Sequence, residues 1–340
     1  MMKKIVFAFG AVLLVLILWN WELMVYGIRQ GYGQVKIVWK AKPIEEFFND
    51  PQFPDSLKQK LLLIQEVRQY AIDSLGLDDT ENYKTLFDQK GEELMWVVQA
   101  CEPFALKPKM WNFPVVGSVP YKGFFAKQKA LDERARLDKE GYDISIRNPG
   151  GWSTLGWFTD PILSGMLKRD DGDLASLIIH EMVHATIFVK DDVNFNENLA
   201  SFVGDTASYF FLASKFGRDS NQFLEYLHDD QDYRKYSRHI FRGTKMLVSL
   251  YHTLKEVDPL ELKEEKKNTI ITQIMSSADT LSLFKPRSGN GSGRLPNNTY
   301  FMSYHLYQGR QGNFKKELDE DFGGDIKKYI QYLIKKYPYL

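Results

Sequence analysis

The chain has 340 residues, with 44 basic side chains balancing 44 acidic ones, so no surplus of positive charge points to a nucleic-acid partner and no acidic tail is present. Its single cysteine, Cys101, excludes an internal disulfide and, in the apolar run MWVVQACEPF, reads as buried filler with nothing beside it to support a thiol protease. About 310 residues beyond the N-terminal segment suffice for one large core or two tightly joined lobes.

In chain order, the basic cap Lys3-Lys4 precedes an uninterrupted apolar run at 5–19, extended by Trp21, Met24, Val25 and Tyr26. No small-x-small cleavage site follows, and Trp19, Trp21 and Tyr26 suit an interfacial belt. The expectation is an uncleaved signal-anchor over 1–27, placing a domain at 28–340 on the extracytoplasmic, periplasmic side of a bacterial inner membrane. An amphipathic helix is expected over 55–75, with Leu61, Ile64, Val67 and Ala71 on one face, and a strand over 93–100. The aromatic, Pro- and Gly-punctuated stretch 111–125 reads as a hairpin or bent strand pair. A polar helix then spans 127–139, stopped by Gly141, and YDISIRN alternates like a strand.

The segment PGGWSTLGWFTDPIL follows. A strand edge beside a catalytic centre can hold a substrate main chain by β-addition, and Gly150, Gly151, Ser153, Thr154, Leu155 and Gly156 are placed for it; a Gly-rich connector is the equal alternative.

Next comes DLASLIIHEMVHATIFV, with Asp171 or Asp173 available as cap. His180 and His184, four residues apart, stand one above the other on a helix and can grip one Zn²⁺ from one side. Glu181 can reach a water on the open side of that ion. Two imidazoles and a carboxylate on a buried face are costly without such a partner. A catalytic zinc needs a third protein ligand. Downstream, Asn194 or Asn196 can cap a second helix running to about Leu212, with Glu197 in its first turn. The rivals are Asp191 and Asp192 in the connector and the distant His239 and His305, while Asp205 could accept a hydrogen bond from a ligand imidazole.

Beyond this pair, long helices are expected at 220–257 and 260–283, then the loop LFKPRSGNGSGRLPNNTY, then a helix carrying Tyr300, Tyr304, His305 and Tyr307. Tyr304 and Tyr307 are candidates for steadying a developing oxyanion, against the alternative of an aromatic core stripe. Asn297 and Asn298 could cap this helix or bind substrate main chain.

Asn196-Glu197-x-x-Ala200 resembles the second-helix signature of the gluzincins, in which the Glu is the third zinc ligand. The series WNFPVVGSVPYKGFF, GYDISI, GWSTLGWFTDPIL, HEMVH and FNENLASFVG, together with the Tyr32-Gly33-Gln34 and Asn297-Asn298 regions, resembles the bacterial "predicted aminopeptidase" family of membrane-associated HExxH proteins over nearly the whole chain. The resemblance implies a zinc metallopeptidase binding one Zn²⁺ through His180, His184 and Glu197, with Glu181 as general base and a peptide as substrate. Many members have a lipoprotein-type N-terminus; here no Cys follows the apolar segment, so lipid anchoring is not expected. The expected fold is α+β and mostly helical, zincin-like, with a small sheet beside the HExxH helix and a helical C-terminal part. An aminopeptidase also needs acidic groups for the substrate's α-ammonium, for which Asp160 and Glu102 are available. Two other readings remain: a membrane-tethered, non-catalytic zinc-binding scaffold, and a zinc amidase acting on cell-wall peptides.

Overall fold

The computed structural model describes residues 21–113, 117–149, 159–190, 192–285, 295–308 and 311–337, the side chains at 305–308 and 311 excepted. Helix α1 (Trp21–Lys40) lies against a three-stranded antiparallel sheet of order β6-β3-β7, formed by β3 (Trp96–Cys101), β6 (Lys122–Phe124) and β7 (Asp143–Arg147). The contact is specific. Tyr26 Oη and Gln30 Nε2 both donate to the Gly123 carbonyl, at 2.9 and 3.1 Å, and Tyr26 stacks on Phe113. Gly33 admits the Phe125 ring where any Cβ would overlap it.

These contacts correct the expectation of a single-pass membrane anchor. Tyr26, read as part of an interfacial belt, hydrogen-bonds to a β-strand instead. Helix α1 also carries Glu22, Arg29, Lys36 and Lys40. Among the described residues no helix is long and apolar enough to cross a membrane, so the transmembrane and inner-membrane, periplasmic assignments are withdrawn. The apolar run at 5–19 lies outside the described residues.

The remaining elements form three cores. The largest gathers α3 (Asp55–Tyr70), its π-helical extension Ala71–Leu75, the small sheet of β1 (Lys42–Pro43), β2 (Thr85–Phe87) and β8 (Ile162–Leu163), and the helices α5 (Asp171–Thr186) and α6 (Val193–Phe216). Leu61, Ile64, Val67 and Ala71 are all fully buried in it, as their spacing predicts. Short helix α2 (Ile44–Asn49) packs beside α3. A second core lies between the β6-β3-β7 sheet and α4 (Lys127–Lys139), which ends before Gly141 at φ +79° as expected. The hairpin β4 (Trp111–Phe113)/β5 (Gly117–Val119) flanks it, so the 111–125 stretch is a hairpin followed by a strand of a different sheet. A third core joins α7 (Asn221–Thr253), α8 (Leu260–Ala278) and α9 (Asn298–Gln308), and α10 (Gln311–Phe322) and α11 (Ile326–Lys336) close the outer face of α6 through Phe314 and Tyr329. The fold is mostly helical with small sheets, as the α+β expectation requires.

The site depends on how α5 meets α6. Helix α5 is buried on nearly every side, with Leu174, Ala175, Ile178, Ile179, Met182 and Val183 at 2% exposure or less, which identifies a central core helix rather than a surface one. The two helices approach at Gly204, where an added Cβ would stand 2.8 Å from the Ser176 carbonyl oxygen and 3.3 Å from His180 Cβ. Backbone cannot yield there as a side-chain tip can. Gly204→Ala is therefore expected to cost about 1–3 kcal/mol of stability in urea unfolding, overpacking a filled interface.

Candidate functional site

The connector between α5 and α6 is short and tied. Asp192 caps α6, its side chain accepting from Phe195 N at 2.9 Å, so the cap expected at Asn194 or Asn196 lies earlier. Asn196 is used differently. It is buried and clamps the connector through both amide atoms, Oδ1 accepting from Val189 N at 2.9 Å and Nδ2 donating to Val189 O at 2.8 Å. The earlier start places Glu197 in the second turn, inside the hydrogen-bonded helix instead of at its fraying end. The cap of α5 is Asp170, ahead of the two aspartates expected there.

From these positions three side chains converge. His180 and His184 have Nε2 atoms 3.0 Å apart. The Glu197 carboxylate bridges towards them, Oε2 at 3.7 Å from His180 Nε2 and Oε1 at 3.6 Å from His184 Nε2. Donors around a tetrahedral ion with bonds of about 2.0–2.1 Å are about 3.3 Å apart. The three separations bracket that figure, so the donor set fits one small divalent ion. Burial pushes His184 down to about 4 and His180 well below its usual range, the latter aided by His184. Both imidazoles are thus neutral at pH 7, the form that ligates. Burial raises the Glu197 carboxyl to about 7, opposed by the positive charge of Arg147 at the end of β7.

Glu181 follows His180 on α5 and is only 7% exposed. Two neighbours were not anticipated. Ser201 Oγ lies 3.4 Å from His180 Nδ1, where it can accept the N–H of an imidazole that ligates through Nε2. Its position four residues after Glu197, on the same helix face, is the signal that could have found it. Tyr83 is buried, sits at φ +62°, and has its hydroxyl pKa raised well above 10 by burial, then by the charges of Glu181 and Asp160. No local pattern marks it.

The other expected residues divide. Gly150, Gly151, Ser153, Thr154, Leu155 and Gly156 lie outside the described residues, as do Asp191 and the side chains of His305 and Tyr307. Tyr304 stands among Tyr233, Tyr236 and Tyr300, its hydroxyl 3.4 Å from that of Tyr300. Asn297 caps α9, accepting from Thr299 N, and donates to the Ile144 carbonyl on the edge of β7. Asn298 is fully buried; its Nδ2 donates to the Glu102 and Pro103 carbonyls and its Oδ1 accepts from Tyr251 Oη at 2.7 Å. Both asparagine side chains are engaged within the protein. His239 Nε2 is 2.8 Å from the Ile274 carbonyl oxygen, and Glu102 pairs with Lys107. Asp160 is buried, its main chain bonded to Asn82 and Tyr83. A second acidic group, Asp170, Glu225 and Asp229, is a surface cluster in which Lys285 bridges Glu225 and Asp229, each at 2.9 Å.

Helices carrying His-x-x-x-His and Glu so that all three converge on one point define a candidate mononuclear metal centre with an adjacent carboxylate. Against known families, a profile described as "Putative aminopeptidase" matches residues 25–336. The chain belongs to that family, whose name designates a peptidase. No curated protein matches the chain. No solved structure matches it either.

Asp205, expected to support a ligand imidazole, instead accepts from Ser176 Oγ at 2.9 Å and so ties α6 to α5 one turn before His180. Burial, the largest cause, raises its pKa to about 7, with Asp230 and Asp173 adding to the rise and Ser176 and Arg234 opposing it. A carboxyl with a folded pKa above its unfolded value of about 3.9 binds more protons when folded between those limits. Stability therefore falls as pH rises from about 4 to about 7, then levels. Asp205→Asn removes that slope. In thermal melts, its advantage over the parent protein should widen across that window and stay constant above it.

Proposed function

We propose that the protein is a mononuclear zinc peptidase of zincin-like, gluzincin type, acting as an aminopeptidase, with His180, His184 and Glu197 as ligands and Glu181 as general base. The observation that carries the reading is the convergence of the three donor atoms at 3.0–3.7 Å from two helices locked by Gly204. Family membership supplies the peptidase class.

A zinc ion at this point would polarise the scissile carbonyl and acidify a water for attack. The chain's own part is proton handling and positioning. Glu181 takes the proton from the attacking water as its oxygen bonds to the carbonyl carbon, and delivers it to the amine nitrogen as the C–N bond breaks. Ser201 holds the His180 ring by accepting at Nδ1, keeping Nε2 turned inward. Strand β7 lies at the edge of its sheet, and its last residue, Arg147, acts electrostatically on Glu197, so this edge leads to the centre. Asn297 covers the edge at Ile144, and Ile146, two residues on, points its main-chain groups the same way. In this reading the substrate main chain adds alongside Ile146 and the 151–156 segment. Tyr304 and Tyr307 on α9, which packs on α6, are the proposed donors to the developing oxyanion.

The test combines elemental analysis with turnover of a free-amine peptide and its N-acetylated twin. Glu181→Gln should keep about one metal ion per chain and lose at least about 100-fold in turnover. Glu197→Ala should lose the metal. The acetylated peptide should resist cleavage. A Glu181→Gln protein that turns over normally would overturn the assignment.

A further inference from the structure

Helix α1 is firmly docked along one face, through Tyr26, Gln30, Gly33 and Ile37. The opposite face carries Trp21, Met24, Ile28, Tyr32, Val35 and Trp39, all exposed, with Ile28 at 67%, Tyr32 at 72% and Trp39 at 84%. At 100° per residue these six fall within about 40° of one line over a helix about 30 Å long. Isolated exposed hydrophobics need no explanation, but a continuous stripe of six does.

The two flanks of the stripe differ. One carries Glu22 near the N-terminal end and Arg29, Lys36 and Lys40 towards the C-terminal end. The other carries Gly27 and Gly31, where an added Cβ would meet nothing within 4 Å. We infer that this face pairs with α1 of a second copy of the chain, antiparallel about a twofold axis near residue 30.

Under that axis Trp21 lies beside Trp39 of the second copy, Met24 beside Val35 and Ile28 beside Tyr32. In an antiparallel pair like flanks face each other, so Glu22 of one copy meets Lys36 and Lys40 of the other, and the contact occurs twice. The two Arg29 side chains are the one like-charge approach, at the centre. The glycine flanks also face each other and let the backbones come close. The helix dipoles oppose, which favours the arrangement. A parallel pair would set the charged flank against the glycine flank and leave Glu22 without its cations. A lipid surface would find no use for the missing Cβ atoms, and one with anionic headgroups would attract Arg29, Lys36 and Lys40 but offer Glu22 no cation, whereas a second copy supplies partners of both signs. Charge complementarity within one helix therefore selects a second copy as the occupant.

Sedimentation equilibrium of the full chain, at micromolar concentration and moderate salt, reads the outcome as mass. A dimer is expected. Ile28→Asp combined with Tyr32→Asp sets like charges against each other across the pair and should give a monomer with unchanged circular dichroism, since both side chains are exposed. Glu22→Lys should weaken the dimer several-fold, and adding Lys36→Glu and Lys40→Glu should restore it. Register is read by cross-linking, because the native Cys101 is buried. Trp21→Cys with Trp39→Cys in one chain should form an intermolecular disulfide under mild oxidation, and Trp21→Cys alone should not. The inference fails if the parent protein is monomeric, if the Asp/Asp variant still associates, if Trp21→Cys alone cross-links, or if the stripe instead binds monomers to phosphatidylglycerol vesicles.

Discussion

The contact between Gly204 and the Ser176 carbonyl is the constraint on which the site depends. It brings α6 against α5 one helical turn from His180, closer than any residue with a Cβ allows. Seven residues before it on α6, Glu197 is carried to the imidazoles. Ser176 contributes twice, through its carbonyl at Gly204 and its hydroxyl at Asp205. The helix pair is thus fixed by backbone contact and by a part-buried hydrogen bond, both on the turns next to His180 and Glu197.

The electrostatics of the pair follow from burial. Three titratable groups sit where charge is poorly solvated, and the imidazoles respond by remaining neutral. Glu197 is pushed the other way, up to about 7, with Arg147 as the opposing charge. Two neutral nitrogens and a carboxylate together suit a dication, which is the occupant the proposed function assigns to them.

The convergence of His180, His184 and Glu197 was legible in the sequence because it is local. His180, Glu181 and His184 lie within one helical turn, and Glu197 follows after a connector too short to carry it elsewhere. Precise helix starts were not legible. Asp192, Asn194 and Asn196 have nearly equal capping ability, and the choice was made by Val189, whose two main-chain groups take up Asn196. Asn298 read as a cap or substrate ligand because its carbonyl partners at Glu102 and Pro103 lie nearly two hundred residues upstream. Hydropathy likewise could not distinguish a Tyr26 that faces lipid from one that faces β6. The sheet order β6-β3-β7 is set by α4 and α9 packing on its faces and edge, which no periodicity records.

The Asn196 clamp has a consequence for the proposed metal site. By holding the residue next to Glu197 to the loop, it removes in advance much of the freedom that a flexible carboxylate would surrender on coordination. For the proposed ion, capture would be a lock closing on a preformed shape, with little rearrangement of the connector.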